Sequence, residues 1–244
     1  MWSAIDHRLR GAVSRGCLTR WRRTIGPAVV CAGILWLLCA GVASPCLAVD
    51  WLVLVVDRSK SIDDRELALQ RNAYVRLLSD AAVIQALGPA KVAIVEFDTR
   101  SEIVVDWSDP AAAALAYRRK PPDGLRGQTG IGGALTTALA LLAGKSGRLV
   151  VDVSGDGREN IDHALLAAAR AAASARAIEV NGLAIMTREV PEIDRYYSGN
   201  VVNGFVLSVE QREDFLAALK RKLFYEVANE RPDAPAIAWR TGMR

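Results

Sequence analysis

Residues 51–61 read W-L-V-L-V-V-D-R-S-K-S, an apolar run that stops on Asp57 and continues through Ser59 and Ser61 with Arg58 and Lys60 between them. One carboxylate and two hydroxyls in an Asp-x-Ser-x-Ser pattern raise the question of why an apolar run stops on such a combination of oxygens. Two further stretches carry the same kind of group. In G-Q-T-G-I-G-G-A-L, residues 127–135, Thr129 stands among glycines ahead of a helical segment. In V-V-D-V-S-G-D-G, residues 150–157, a second apolar run finishes at Asp156. Two buried strands that end on acids bring carboxylates together at a cost, and a divalent cation between them removes it.

Each residue taken singly also has a plainer role. Ser61 three places before Asp64 has the form of a helix capping box. Ser59 suits a turn, and Asp57 an Asx-type turn or a partner for a helix dipole. Those roles leave unexplained why all these features occur together on one alternating chain. A hydrolytic reading is the alternative: Asp57 and Asp156 would hold an ion that activates water, with Glu159 nearby in G-D-G-R-E-N. No general base accompanies them. His163, the one histidine beyond the first 48 residues, falls at a solvated helix start, and D-R-S-K-S is not the Gly-x-Ser-x-Gly of a nucleophile elbow. Arg118, Arg119, Lys120 and Arg126 form a basic loop that is either merely solvated or steers an acidic partner. Tyr196 and Tyr197 fall in a loop after Pro191, packed or facing a partner.

The elements that must position these residues alternate between strand and helix. Strands are expected at 49–57, 91–98, 101–107, 148–154, 178–186 and 203–209; helices at 63–87, 110–118, 132–143, 161–177 and 212–228. Residues 91–98 and 101–107 are close enough to form a hairpin across Thr99 and Arg100. The pattern predicts an α/β fold: a doubly wound, mostly parallel open sheet with helices on both faces and one antiparallel edge hairpin. In such sheets ligands bind beyond the carboxyl ends of the strands, where the strand order reverses, which is where Asp57 and Asp156 fall.

Residues 1–48 read as a cleaved signal peptide: six arginines, a 16-residue apolar core from Ala28 to Ala43, then small residues with cleavage after Ala48 or Ala43. The core is shorter than the ~20 residues of a membrane span; an uncleaved anchor is the alternative, since Leu47 and Val49 could extend the run past Pro45. Beyond it lie a domain over 49–228 and a loose tail over 229–244. The formal charge of +4 belongs to the leader, since residues 49–244 hold 25 basic against 26 acidic side chains, and no nucleic-acid partner is expected. All four cysteines (Cys17, Cys31, Cys39, Cys46) lie in the leader as well, which excludes disulfides, thiolate catalysis and cysteine-bound zinc from the exported chain.

Asp57-x-Ser59-x-Ser61, Thr129 and Asp156, in this order on such a chain, resemble the metal-ion-dependent adhesion site of the von Willebrand factor A domain. The resemblance covers residues 49–228. "DVSGDG" and "IGGAL" look most like a secreted bacterial group of single-domain proteins of unknown function. It implies that Ser59, Ser61 and Thr129 give hydroxyl oxygens to Mg²⁺, with Mn²⁺ or Ca²⁺ as alternatives, while Asp57 and Asp156 act mainly through bound water. It further implies an exported, non-enzymatic module, free of the membrane after cleavage, whose protein or peptide partner completes the coordination with an Asp or Glu carboxylate. Lys60 stands where this group has glycine, and with Arg58 it is expected to lower metal affinity or to favour an acidic ligand.

Overall fold

Strand β1 (Trp51–Asp57) is buried from Leu52 onward because helices cover both faces of the sheet at its centre. Its side chains alternate between two cores. Leu52, Leu54 and Val56 enter one, with Tyr74, Leu77, Tyr117, Phe215 and Leu219; Val53 and Val55 enter the other, with Leu135, Ala138, Leu166 and Tyr197. That is why a strand with two apolar faces reads as an unbroken apolar run. The computed structural model describes residues 48–120 and 126–232.

After β1 come α1 (Asp64–Ser79), α2 (Ala81–Leu87), β2 (Lys91–Phe97), β3 (Ser101–Ser108), α3 (Pro110–Arg119) and α4 (Ile131–Leu141). Strand β4 (Leu149–Gly155), α5 (His163–Ala175), β5 (Glu179–Ile185), α6 (Ile193–Tyr196), β6 (Val206–Val209) and α7 (Phe215–Ala228) follow. The sheet order is β3-β2-β1-β4-β5-β6, parallel throughout except for the β2–β3 hairpin at one edge. This is the doubly wound α/β sheet expected from the alternation. Helices α1, α2, α3 and α7 supply the first core and α4, α5 and α6 the second. The chain leaves β1 toward β2 on one side and later returns beside β1 as β4, so the switch point lies at the carboxyl ends of β1 and β4.

Two segments differ from the sequence reading. The single helix expected over 63–87 is two helices, because the Asp80 side chain accepts from the backbone N–H groups of Ala82 (2.9 Å) and Val83 (3.2 Å) and so starts a new helix. The loop expected around Tyr196 and Tyr197 is helical: α6 runs into a π turn, Tyr197–Val201, that packs Ile193, Tyr197 and Val201 into the second core. So short an element has no apolar period of its own, and tertiary packing holds it.

The signal peptide read over residues 1–48 lies, but for its last residue, outside the described residues, as does the tail from 233 and the middle of the basic loop, 121–125. Among the described residues no helix is long and apolar enough to cross a membrane.

Candidate metal centre

Asp57 is the last residue of β1, and its backbone carbonyl accepts from Gln70 Nε2 (2.8 Å), which ties α1 to the strand end. The side chain is fully buried. Oδ1 accepts from the Ser59 N–H at 2.7 Å, so the Asx-type turn is real, but Oδ2 has no hydrogen-bond partner. Burial, reinforced by the charge of Asp156, pushes the Asp57 carboxyl from 3.8 up to about 7 despite the hydrogen bonds from Ser59.

From that carboxylate a chain of oxygens crosses the switch point. Thr129 Oγ1 donates to Ser59 Oγ (3.2 Å), Ser59 Oγ and Ser61 Oγ lie 3.0 Å apart, and Ser61 Oγ donates to Asp156 Oδ1 at 2.6 Å. All five residues singled out in the sequence therefore meet at one pole of the sheet. Ser59, Thr129 and Asp156 are buried with Asp57, while Ser61 lies at the surface. Ser61 is not the helix cap. That role belongs to Asp63, which accepts from Glu66 N (2.8 Å) while Glu66 Oε2 accepts from Asp63 N (2.9 Å), a capping box two residues further on.

Thr129 is strapped down from three directions. Its N–H donates to Asn160 Oδ1 (2.9 Å), the Asn160 N–H returns a bond to Thr129 O (3.1 Å), and Gly130 N donates to Asp98 O (3.0 Å). Lys60 N–H holds Gly127 O at 3.0 Å, so the loop after β1 and the threonine loop are one unit. Two glycines make the close approach possible. A Cβ on Gly155 would stand 2.7 Å from Asp57 Oδ2 and 2.6 Å from Tyr197 Oη, and one on Gly157 would stand 2.7 Å from Thr129 Oγ1. The S-G-D-G sequence is thus a steric condition for the cluster.

Of the neighbours of this pole, Arg212 was not legible in the sequence. Arg212, on the 3₁₀ turn before α7, donates to Asp156 Oδ2 (3.1 Å) and lies 2.8 Å from Glu66 Oε1. Tyr197 is fully buried beside Gly155 with its hydroxyl unpartnered, and burial together with the charge of Asp57 pushes that phenol well above its ordinary value. Arg58 lies against Glu96 (3.7 Å), Asp98 (3.8 Å) and Glu102 (3.7 Å), so its charge is balanced by the hairpin acids. Lys120 pairs with Glu102 and Arg126 with Asp64, which leaves Arg118 and Arg119 as the exposed cations before the undescribed stretch. His163 is exposed at the start of α5 and lines a pocket of about 380 Å³ with Arg170, Tyr196 and Asn200, sharing no residue with the five.

The donor set fits a hard divalent ion. The buried Asp57 carboxylate, one of whose oxygens has no partner, lies at the same strand end as the three linked hydroxyls, an arrangement that a cation would complete. No group of three or more His, Cys, Asp or Glu side chains converges as a metal site among the described residues. An ion at this pole would depend on hydroxyls as much as on acids.

Strand order, the antiparallel edge and the placement of the Ser/Thr loops at the switch point define a von Willebrand factor A fold. The chain belongs to the family described as Protein of unknown function (DUF1194), whose model matches residues 48–231. Among solved structures it is similar to proximal thread matrix protein 1 from the mussel byssus with a zinc-occupied MIDAS motif, at 17% identity over 75% of this chain and 46% of that one, with a TM-score of 0.58. It is similar to the conserved hypothetical protein BatB from Bacteroides thetaiotaomicron, at 17% identity over 74% of this chain and 100% of that one, TM-score 0.55. A von Willebrand factor type A protein from Catenulispora acidiphila is 18% identical over 74% of this chain and 42% of its own, TM-score 0.54. The chain thus spans about half the length of the byssus protein and less than half of the Catenulispora one. No protein with a curated description matches it in sequence.

Proposed function

We propose that this chain is an exported, non-enzymatic binding module that holds one divalent cation at the switch point and uses it to capture a protein or peptide through an Asp or Glu carboxylate. The observation that carries the reading is the linked set at one pole: Ser59, Ser61 and Thr129 hydroxyls in contact, Asp156 at their end, and the fully buried Asp57 carboxylate, with one oxygen unpartnered, joined to them through the Ser59 N–H. Ser59, Ser61 and Thr129 would hold the ion with Asp57 and Asp156 behind them, and the bound ion supplies a Lewis-acidic position open to a carboxylate. Because most of these ligands are neutral, the ion would keep net positive charge toward an acidic ligand; Mg²⁺ suits the oxygens, with Mn²⁺ or Ca²⁺ in reserve. The similarity in fold to a byssus matrix protein whose MIDAS motif carries zinc is consistent with a metal at this pole.

Hydrolysis lacks support from the same geometry. Glu159, the acid a hydrolase would draw on, is buried with Oε2 taken by Gly132 N (2.7 Å) and Oε1 by Ile161 N (2.8 Å) and Asp162 N (3.0 Å). Buried, it uses both oxygens to fasten the starts of α4 and α5. The test of the binding reading is capture of envelope proteins on the immobilised domain in Mg²⁺ and again in chelator. A capture profile identical in the two conditions removes the metal from the function.

A further inference from the structure

Asp156 and Asp57 are the two carboxylates of this pole, and they are treated differently. Asp57 Oδ2 has no hydrogen-bond partner among the described residues, whereas Asp156 is held by a guanidinium. Arg212 reaches it from the turn that leads into α7, its Nη2 3.1 Å from Asp156 Oδ2 and its Nε 2.8 Å from Glu66 Oε1. The Asp156 side chain is 1% exposed and that of Arg212 24%, so the pair sits under the surface with its cation on the outer side. Asp156 Oδ1 is meanwhile taken by Ser61 Oγ, which leaves both oxygens of this carboxylate engaged by protein atoms.

We propose that Arg212 is a tethered counter-ion that competes with the divalent cation for Asp156 and thereby sets the affinity of the site. The inference rests on the metal-binding reading above. A guanidinium and a divalent ion sharing one buried carboxylate repel each other at short range where solvent screens little, so the ion gains Asp156 only as Arg212 lets go. Glu66 gives the released guanidinium a place to stay. It is fixed at the start of α1 by its own bond to Asp63 N, and it lies partly in solvent. Arg212 in this way balances the charge of Asp156 while the ion is away and so eases its repulsion with Asp57. The site then binds a lone ion more weakly than its oxygens alone would dictate.

The experiment is Mn²⁺ binding by isothermal titration calorimetry on the protein purified from cells, at fixed ionic strength, for wild type, Arg212→Gln and Arg212→Lys. Arg195→Gln serves as control, since it removes the same charge from an exposed pair with Glu192 elsewhere. Arg212→Gln is expected to bind Mn²⁺ about tenfold tighter or more, with Lys between it and wild type and the control unchanged. A purely structural Arg212 would weaken binding or leave it alone. If Arg212→Gln and Arg212→Lys bind as wild type does or more weakly, the competition is overturned while the metal site stands. If no variant binds Mn²⁺ at millimolar concentration, the metal site falls and the competition with it.

Discussion

The Ser61 hydroxyl donates to Asp156 Oδ1 across 2.6 Å, joining the loop after β1 to the loop after β4 over a separation of 95 residues. Because the capping box lies at Asp63 and Glu66, this hydroxyl is free of helix-starting duty. Ser61→Ala should therefore weaken divalent-ion binding strongly while moving the melting temperature little. Asp63→Ala should do the reverse, costing about 0.5–2 kcal/mol of stability with metal affinity nearly intact. Calorimetric ion titration and thermal melts on the two variants side by side decide it.

A ligand that binds only the folded state must stabilise it, by about 2.7 kcal/mol when the free ion is at a hundred times its dissociation constant. Wild type should melt higher in Mg²⁺ or Mn²⁺ than in chelator. Asp57→Asn should lose that difference, and in chelator it should melt at or above wild type, since the buried, unpartnered charge is gone. Coincident wild-type melts in ion and chelator would refute the site.

Gly155 leaves no room for a side chain between Asp57 and Tyr197. Gly155→Ala places a methyl 2.7 Å from Asp57 Oδ2 and 2.6 Å from Tyr197 Oη, and overpacking of this kind costs about 1–3 kcal/mol. Removing the hydroxyl should restore part of the loss. Denaturant unfolding of Gly155→Ala, Tyr197→Phe and the double variant tests this, with a coupling energy near zero as the contrary result.

On the other side of the sheet Lys222 is fully buried, 2.6 Å from both Asp152 Oδ1 and Glu226 Oε1. Burial, opposed by Lys222 and reinforced by Asp152, pushes the Glu226 carboxyl from 4.5 up to about 7. The folded chain therefore holds this proton more tightly than the unfolded chain does. Its stabilising contribution is complete below pH 4.5 and is lost as the pH rises through about 7. Asp57 acts in the same direction when no ion is bound, so the comparison is made between wild type and Glu226→Gln in chelator. The slope of melting temperature against pH should be shallower in the variant, and parallel slopes would exclude Glu226 as its source.

The strands and most helices were legible because burial on two faces forces continuous apolar runs and burial on one stripe forces a helical period. Asp57, Ser59, Ser61 and Asp156 could be placed together because they follow the two buried strands that flank the switch point, whereas Thr129 follows no strand and was added because a glycine-flanked threonine opens a later helix. Asp80 was passed over, since an aspartate inside an apolar period does not announce that it will cap a second helix. The π turn at Tyr197–Val201 carried no signal at all, being too short to have one.

What the residue order determined by itself was the class of sheet and the pole at which Asp57, Ser59, Ser61, Thr129 and Asp156 would meet. What only the tertiary structure decided was how those oxygens are shared. Arg212 and Glu159 are an ordinary arginine and glutamate in the sequence. Folding turns one toward Asp156 and spends both oxygens of the other on backbone N–H groups at the starts of two helices. Such assignments depend on which chain ends meet in space, and no spacing along the chain encodes that. The same is true of the oxygen left over: Asp57 Oδ2 is unpartnered because of everything packed around it, a property of the assembled pole and not of the aspartate.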